Sequence, residues 1–331
     1  MSAKNSKQAG RRGCGCGCLP GCSLFLLAVV LVGGILHFVG QTRIHKAITA
    51  AYPPPGKLLE VDGLQMHIYC IGQGDRTIVI ETGGWSYTRA AWADIQEKLA
   101  KQGRICVYDR AGRGWSQASW SSRSVENITA ELHALLQKAG IQPGFILLSG
   151  YDGAVYARHY AWRYPSEVAG LALVDDPWYA PSTAVMPTYY GISAITLLLN
   201  PTRTIPWWWQ GDAIINQYQW RCPTGMNEPA CQKWRVLLND PLDAQTAALE
   251  GFVIPTAMIQ SHAHEIRFGN IPLLVVRSPS SNLSESELNS VFADLIARSS
   301  AGKLWLCPKG DGSLIDRDPD CIVNAARSLL H

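Results

Sequence analysis

Beyond residue 12 the chain has no long run of basic residues, and 29 Lys and Arg against 26 Asp and Glu leave a net charge of only +3. Nucleic-acid partners are therefore not expected, because they select a basic patch or stripe. No repeat period runs through the sequence, which excludes solenoid and propeller arrays. Metal-ligand spacing is also missing: His262 and His264, two residues apart, do not make a zinc site. No glycine-rich stretch carries the lysine and spacing of a phosphate loop. No cofactor is expected. Histidine is absent between His264 and the terminal His331, and that gap bears on the chemistry below.

What is present divides into a tail, an anchor and a large domain. With 47% hydrophobic and 17% charged residues, the chain has the composition of a globular protein. Residues 1–18 form a basic tail rich in glycine and cysteine. Residues 19–40 follow as an apolar stretch about long enough to cross a bilayer as a helix. Lys4, Lys7, Arg11 and Arg12 precede it, whereas Arg43 and Lys46 follow. The heavier positive side predicts a cytoplasmic N-terminus and an extracytoplasmic C-terminal domain. A cleaved signal peptide is the competing reading, disfavoured by the length of the stretch and the lack of an A-x-A site.

The ten cysteines fall into two groups. Cys14, Cys16, Cys18 and Cys22 lie beside the apolar stretch, where acylation is common. Cys70, Cys106, Cys222, Cys231, Cys307 and Cys321 belong to the exported domain, where disulfides are allowed. Cys222–Cys231 and Cys307–Cys321 would close short loops, but spacing does not fix the pairing. Asn127-Ile-Thr and Asn282-Leu-Ser are glycosylation sequons.

Residues 41–57 read as a linker ending in the stiff, proline-rich "AYPPPGK". From residue 58 to 331, short β-type runs alternate with helical patterns. "QMHIYCIG", "TIVIET", "RICVYD", "GFILLSG", "GLALVDD", "IPLLVVRS" and "KLWLCPKG" predict strands. "TRAAWADIQEKLAKQG", "VENITAELHALLQKAGI" and "CIVNAARSLL" predict helices between or after them. This alternation predicts an α/β fold, a mostly parallel sheet with helices on both faces. Such sheets bind ligands at the carboxyl ends of their strands. An insertion at about 177–270 interrupts the pattern and reads as a helical lid, with Trp207, Trp208 and Trp209 as its most conspicuous apolar group.

Several segments in order resemble the α/β-hydrolase superfamily, specifically esterase- and peptidase-like members with a "YDRAG-x-GWS" turn. Here that turn is "YDRAGRGWS", Tyr108 to Ser116, and "ETGGW", Glu81 to Trp85, stands where the family places its oxyanion loop. "YARHYAWRYPSEVAGLALVDD" resembles the helix and strand after the nucleophile, and "LWLCPKGDGSLIDRDPD" the last strand and histidine loop. The resemblance covers roughly Gly56 to the C-terminus and implies the α/β-hydrolase fold.

It also implies a site whose parts can be checked one by one. The family's nucleophile occupies a strained strand-to-helix turn flanked by small residues. "SGYDGA" admits two registers; counting back from "YARHYAWRYP" puts Tyr151 at the nucleophile position, and a one-residue shift puts Asp152 there instead. A phenol of pKa about 10 is a poor nucleophile near neutrality without a base. Asp152 as alternative nucleophile would resemble the dehalogenases and epoxide hydrolases. The position aligned with the catalytic histidine is Gly312, and no aspartate stands at the usual place after "IPLLVV". Asp175 and Asp176 end the preceding strand, and Asp176 is the candidate acid. The backbone N–H groups of Gly84 and Asp152 are candidate oxyanion-type donors. These residues predict a member that has lost serine-hydrolase chemistry and binds a small apolar or carbonyl-containing ligand, or a partner. The alternative is a hydrolase of ester, amide or related bonds with a rearranged site around Tyr151 and Asp152.

Overall fold

The computed structural model describes residues 19–83, 89–176, 185–205, 235–237, 239–263, 266–278, 285–308 and 313–330. Its centre is an eight-stranded sheet in the order β1-β2-β4-β3-β5-β6-β7-β8. The strands are β1 (Lys57–Val61), β2 (Leu64–Ile71), β3 (Thr77–Glu81), β4 (Arg104–Tyr108), β5 (Phe145–Gly150), β6 (Val168–Val174), β7 (Leu273–Arg277) and β8 (Gly302–Leu306). β1–β2 and β2–β4 pair antiparallel; every later pairing is parallel. The strand β1 was not expected from its sequence. It forms because Asp62 and Gly63, with φ of 48° and 82°, make a two-residue turn that folds Val61 against Leu64.

The helices are α1 (Leu19–Ala51), α2 (Ala93–Leu99), α3 (Val125–Lys138), α4 (Gly153–Arg163), α5 (Val185–Thr204), α6 (Pro241–Ala263), α7 (Glu285–Ile296), α8 (Leu314–Arg317) and α9 (Pro319–Arg327). Side chains alternate across each central strand, so the sheet supplies two apolar faces. Val79, Leu147, Leu171 and Val275 pack with α3, α4 and α7 on one face. Ile80, Leu148, Val174 and Val276 pack with Trp92, α2 and α9 on the other. In α3, Ile128, Leu132, Leu135 and Leu136 point inward as their spacing predicts, and Ser124 caps the helix by accepting from the Asn127 N–H.

Residues 41–51, read as linker, continue α1 as one helix to Ala51. They are docked, because Ile44 and Ile48 bury themselves against Trp115, Val236 and Leu237. The proline segment is tied down too: Trp115 Nε1 donates to the Tyr52 carbonyl at 2.7 Å, and His67 Nε2 lies 2.5 Å from the Pro55 carbonyl. The cysteine pairing, left open by spacing, includes Cys307–Cys321 and also Cys70–Cys106, which face each other across β2 and β4. Cys222 and Cys231 lie outside the described residues, as do Trp207, Trp208 and Trp209.

Candidate active site

The strand β5 ends at Gly150, and α4 begins at Gly153. Between them Tyr151 takes φ 51°, the left-handed region that non-glycine residues rarely enter. Asp152 returns to φ −64° as the residue capping α4. The Tyr151 N–H donates to the Val174 carbonyl at 2.9 Å, and the Tyr151 carbonyl accepts from Ala154 at 2.9 Å. Both ends of the pinched turn are thereby locked.

The flanking glycines are set by crowding. A Cβ on Gly150 would lie 2.6 Å from Trp92 Cζ2, and one on Gly153 would lie 2.7 Å from the Thr82 carbonyl. The backbone after β3 runs close alongside: Gly83 has its Cβ position 3.0 Å from Asp152 Oδ1. The Asp152 carboxylate is therefore next to the backbone that leaves β3 at Gly83. Gly84 itself lies outside the described residues. Ser149, two residues before Tyr151, is buried in β5 with its hydroxyl 3.5 Å from the Ala172 carbonyl.

Gly312 also lies outside the described residues, but the chain that follows it approaches the elbow. Ile315 Cδ1 is 3.0 Å from the Cβ position of Gly150, and the Leu314 N–H donates to Asp175 Oδ2 at 2.8 Å. Asp175, with φ 50°, thus turns its carboxylate toward this loop, and burial pushes that carboxyl above its ordinary value against the Leu314 hydrogen bond. Asp176, the candidate acid, does not face the loop in this way. Its buried carboxylate is ion-paired with Arg158 from α4.

Histidines whose side chains are described are engaged elsewhere. His67 Nδ1 lies 2.7 Å from Asp109, His133 stacks on Tyr164 and meets Glu167, His159 contacts Thr129, and His45 contacts Asp240 at 2.5 Å. His262 belongs to α6, while His264 and His331 lie outside the described residues.

Beside the elbow is a buried charge cluster to which the sequence reading assigned no role. Arg110 Nη1 donates to Glu81 Oε1 at 2.5 Å and to the Thr82 carbonyl at 2.6 Å. Its Nε and Nη2 reach Glu250 of α6 at 3.1 and 2.9 Å, and its guanidinium lies 4.9 Å from the Tyr156 ring centre. The Tyr108 hydroxyl donates to Glu81. Arg113 pairs with Asp243 at 2.9 Å, and Arg123 pairs with Glu131 at 2.8 Å while reaching Glu250. Burial raises Glu81 to about 7 despite Arg110. Glu250 resists the same burial because three guanidinium groups hold it at about 2. The signal was in the sequence: "YDRAGRGWS" supplies Tyr108, Arg110 and Arg113 within six residues.

A separate cavity of about 560 Å³ lies behind α4, lined by Val125, His159, Trp162, Tyr164, Ala257 and Ile266. It does not include the elbow.

No family model matches the chain. It is 33% identical over 102 residues to an AB hydrolase superfamily protein of Gibberella zeae, covering 30% of this chain and 31% of that one. It is 30% identical over 133 residues to an uncharacterized vacuolar membrane protein of Saccharomyces cerevisiae, covering 35% and 20%. The aligned regions span less than half the length of these two relatives and of two Bacillus subtilis proteins, YbdG and YqjL, of uncharacterized function. Among solved structures, the epoxide hydrolase CorEH superposes with a TM-score of 0.62 at 13% identity, covering 81% of this chain and 95% of that one. The chain has the α/β-hydrolase fold, carried on one N-terminal helix long and apolar enough to cross a membrane.

Proposed function

We propose that this chain is a single-pass membrane protein whose α/β-hydrolase domain has lost serine-hydrolase chemistry and binds a small ligand or partner beneath a helical lid. The observation that carries this reading is Tyr151 in the left-handed turn, with φ 51°. A phenol there needs a base to act, and His67, His133 and His159 are engaged with other partners. The carboxylate of Asp152 beside Gly83 also favours a binding role over stabilising an oxyanion, because like charges repel. The ligand class is small and apolar or carbonyl-containing.

The anchor is residues 19–40, the N-terminus is cytoplasmic and the domain is extracytoplasmic. The charge asymmetry around the apolar stretch supports this orientation. Two disulfides in the domain support an oxidising compartment.

The test uses the full-length protein in nanodiscs, with a fluorophosphonate probe and short-chain aryl esters. Neither labelling nor turnover is expected. Turnover lost in Asp152→Asn but kept in Tyr151→Phe would overturn the reading in favour of an aspartyl nucleophile.

A further inference from the structure

The helix α5 is built inside out. Its buried residues are Ser193, Asn200 and Thr204, at i, i+7 and i+11 on one face. Its exposed face carries Ile192, Ile195, Leu198 and Leu199, with Leu198 78% exposed. No charged residue occurs from Val185 to Thr202. A helix facing water places its polar residues outward and its apolar ones inward. Here Ile192, Ile195, Leu198 and Leu199 face solvent, with Thr188 and Thr202 as the polar residues among them.

The surroundings identify what meets this face. The C-terminal end of α5 touches α1 where α1 passes from exposed to docked. A Cβ on Gly40 would lie 3.0 Å from Thr204 Cβ, and His37 Nδ1 lies 3.5 Å from Thr204 Oγ1. On the N-terminal side of that point α1 is apolar and exposed from Leu24 to Phe38. Trp120 stands there too, 91% exposed, with its ring 6.3 Å from that of Phe38. An exposed tryptophan beside the exit of an apolar helix fits the aromatic belt of a bilayer interface. α5 is not among the helices long and apolar enough to span. An uncharged apolar face on such a helix suits lying in the interface plane.

We propose that the outward face of α5, with Trp120, is a second membrane contact that seats the insertion on the lipid surface around α1. The contact partner is the acyl and glycerol region of the bilayer. The proposal rests on α1 being the membrane anchor, and it holds the carboxyl-end side of the sheet toward the lipid.

A photo-crosslinking amino acid at single positions of the full-length protein, in phosphatidylcholine nanodiscs, tests both levels. The positions are Leu26 in α1, Leu198 and Trp120, with Gln142 in the loop entering β5 as the control at the other end of the sheet. Lipid adducts are expected at Leu26, Leu198 and Trp120, in yields about tenfold above Gln142. Adducts at Leu26 without adducts at Leu198 would overturn the second contact and leave the anchor standing. Crosslinks from Leu198 to another copy of the chain would overturn it in favour of a protein interface. Failure at Leu26 would overturn the anchor and the contact together.

Discussion

Arg110 joins Glu81 at the end of β3 to Glu250 in α6, donating to Glu81 Oε1 at 2.5 Å and to Glu250 Oε2 at 2.9 Å. All three side chains are buried. Sheet and insertion are thus tied by a buried ion cluster. Removing one partner of a buried pair leaves an uncompensated charge. Glu250→Gln should destabilise the domain by about 3–5 kcal/mol, read from denaturant unfolding of the protein in detergent.

The same cluster predicts two opposite pH dependences. Glu250 has its folded value lowered to about 2 from 4.5, so its stabilisation is present above 4.5 and is lost as pH falls toward 2. The penalty of Glu250→Gln should accordingly shrink over that window. Glu81 has its folded value raised to about 7 from 4.5, so the fold binds its proton more tightly than the unfolded chain does. Stability then declines as pH rises from 4.5 to 7, and Glu81→Gln should remove that decline. Thermal unfolding of each variant against the parent, as a function of pH, checks both signs.

The elbow should tolerate change at Tyr151 and not at its glycines. A Cβ at Gly153 would meet the Glu81 and Thr82 carbonyls at 2.8 and 2.7 Å, and backbone cannot move aside as a side chain can. Gly153→Ala should cost about 1–3 kcal/mol through forced shifts, while Tyr151→Phe should leave the melting temperature nearly unchanged. Circular dichroism melts compare the two.

Most of the sheet was legible because parallel strands buried on both faces read as continuous apolar runs, as in Phe145–Gly150 and Val168–Val174. The strand β1 was missed because "KLLEV" is short and half exposed; the Asp62-Gly63 turn was its readable signal. The elbow was legible because its glycines answer a steric demand that any sequence must meet. Asp175 and Asp176 were legible only as two strand-end carboxylates: adjacent side chains there point in different directions, and folding decides that Asp175 meets Leu314 while Asp176 meets Arg158. The docking of residues 41–51 was hidden for the same kind of reason. Its partners, Trp115, Val236 and Leu237, are distant in the chain.

The proposed loss of serine-hydrolase chemistry should be reversible at two positions. Tyr151→Ser alone should give no fluorophosphonate labelling, since the new hydroxyl still faces no base. Tyr151→Ser with Gly312→His should give labelling above background, as a positioned base contributes about 10²–10⁴-fold. Labelling by the single variant would mean that a base already stands at the elbow.

The disulfides carry the topology prediction. Cys70 and Cys106 close 36 residues across neighbouring strands, and Cys307 and Cys321 close 14 at the far edge of the sheet. In protein isolated from native membranes, non-reducing peptide maps should show both bonds formed, with Cys14, Cys16 and Cys18 outside any disulfide. Cys70→Ala with Cys106→Ala should lower stability by about 2–4 kcal/mol, mainly by releasing the unfolded chain. In the proposed orientation the bonds and the tail report on opposite sides of one membrane. Free thiols at Cys70 and Cys106 in the native protein would therefore reverse the orientation, placing the domain in a reducing compartment whatever the charges around α1 suggest.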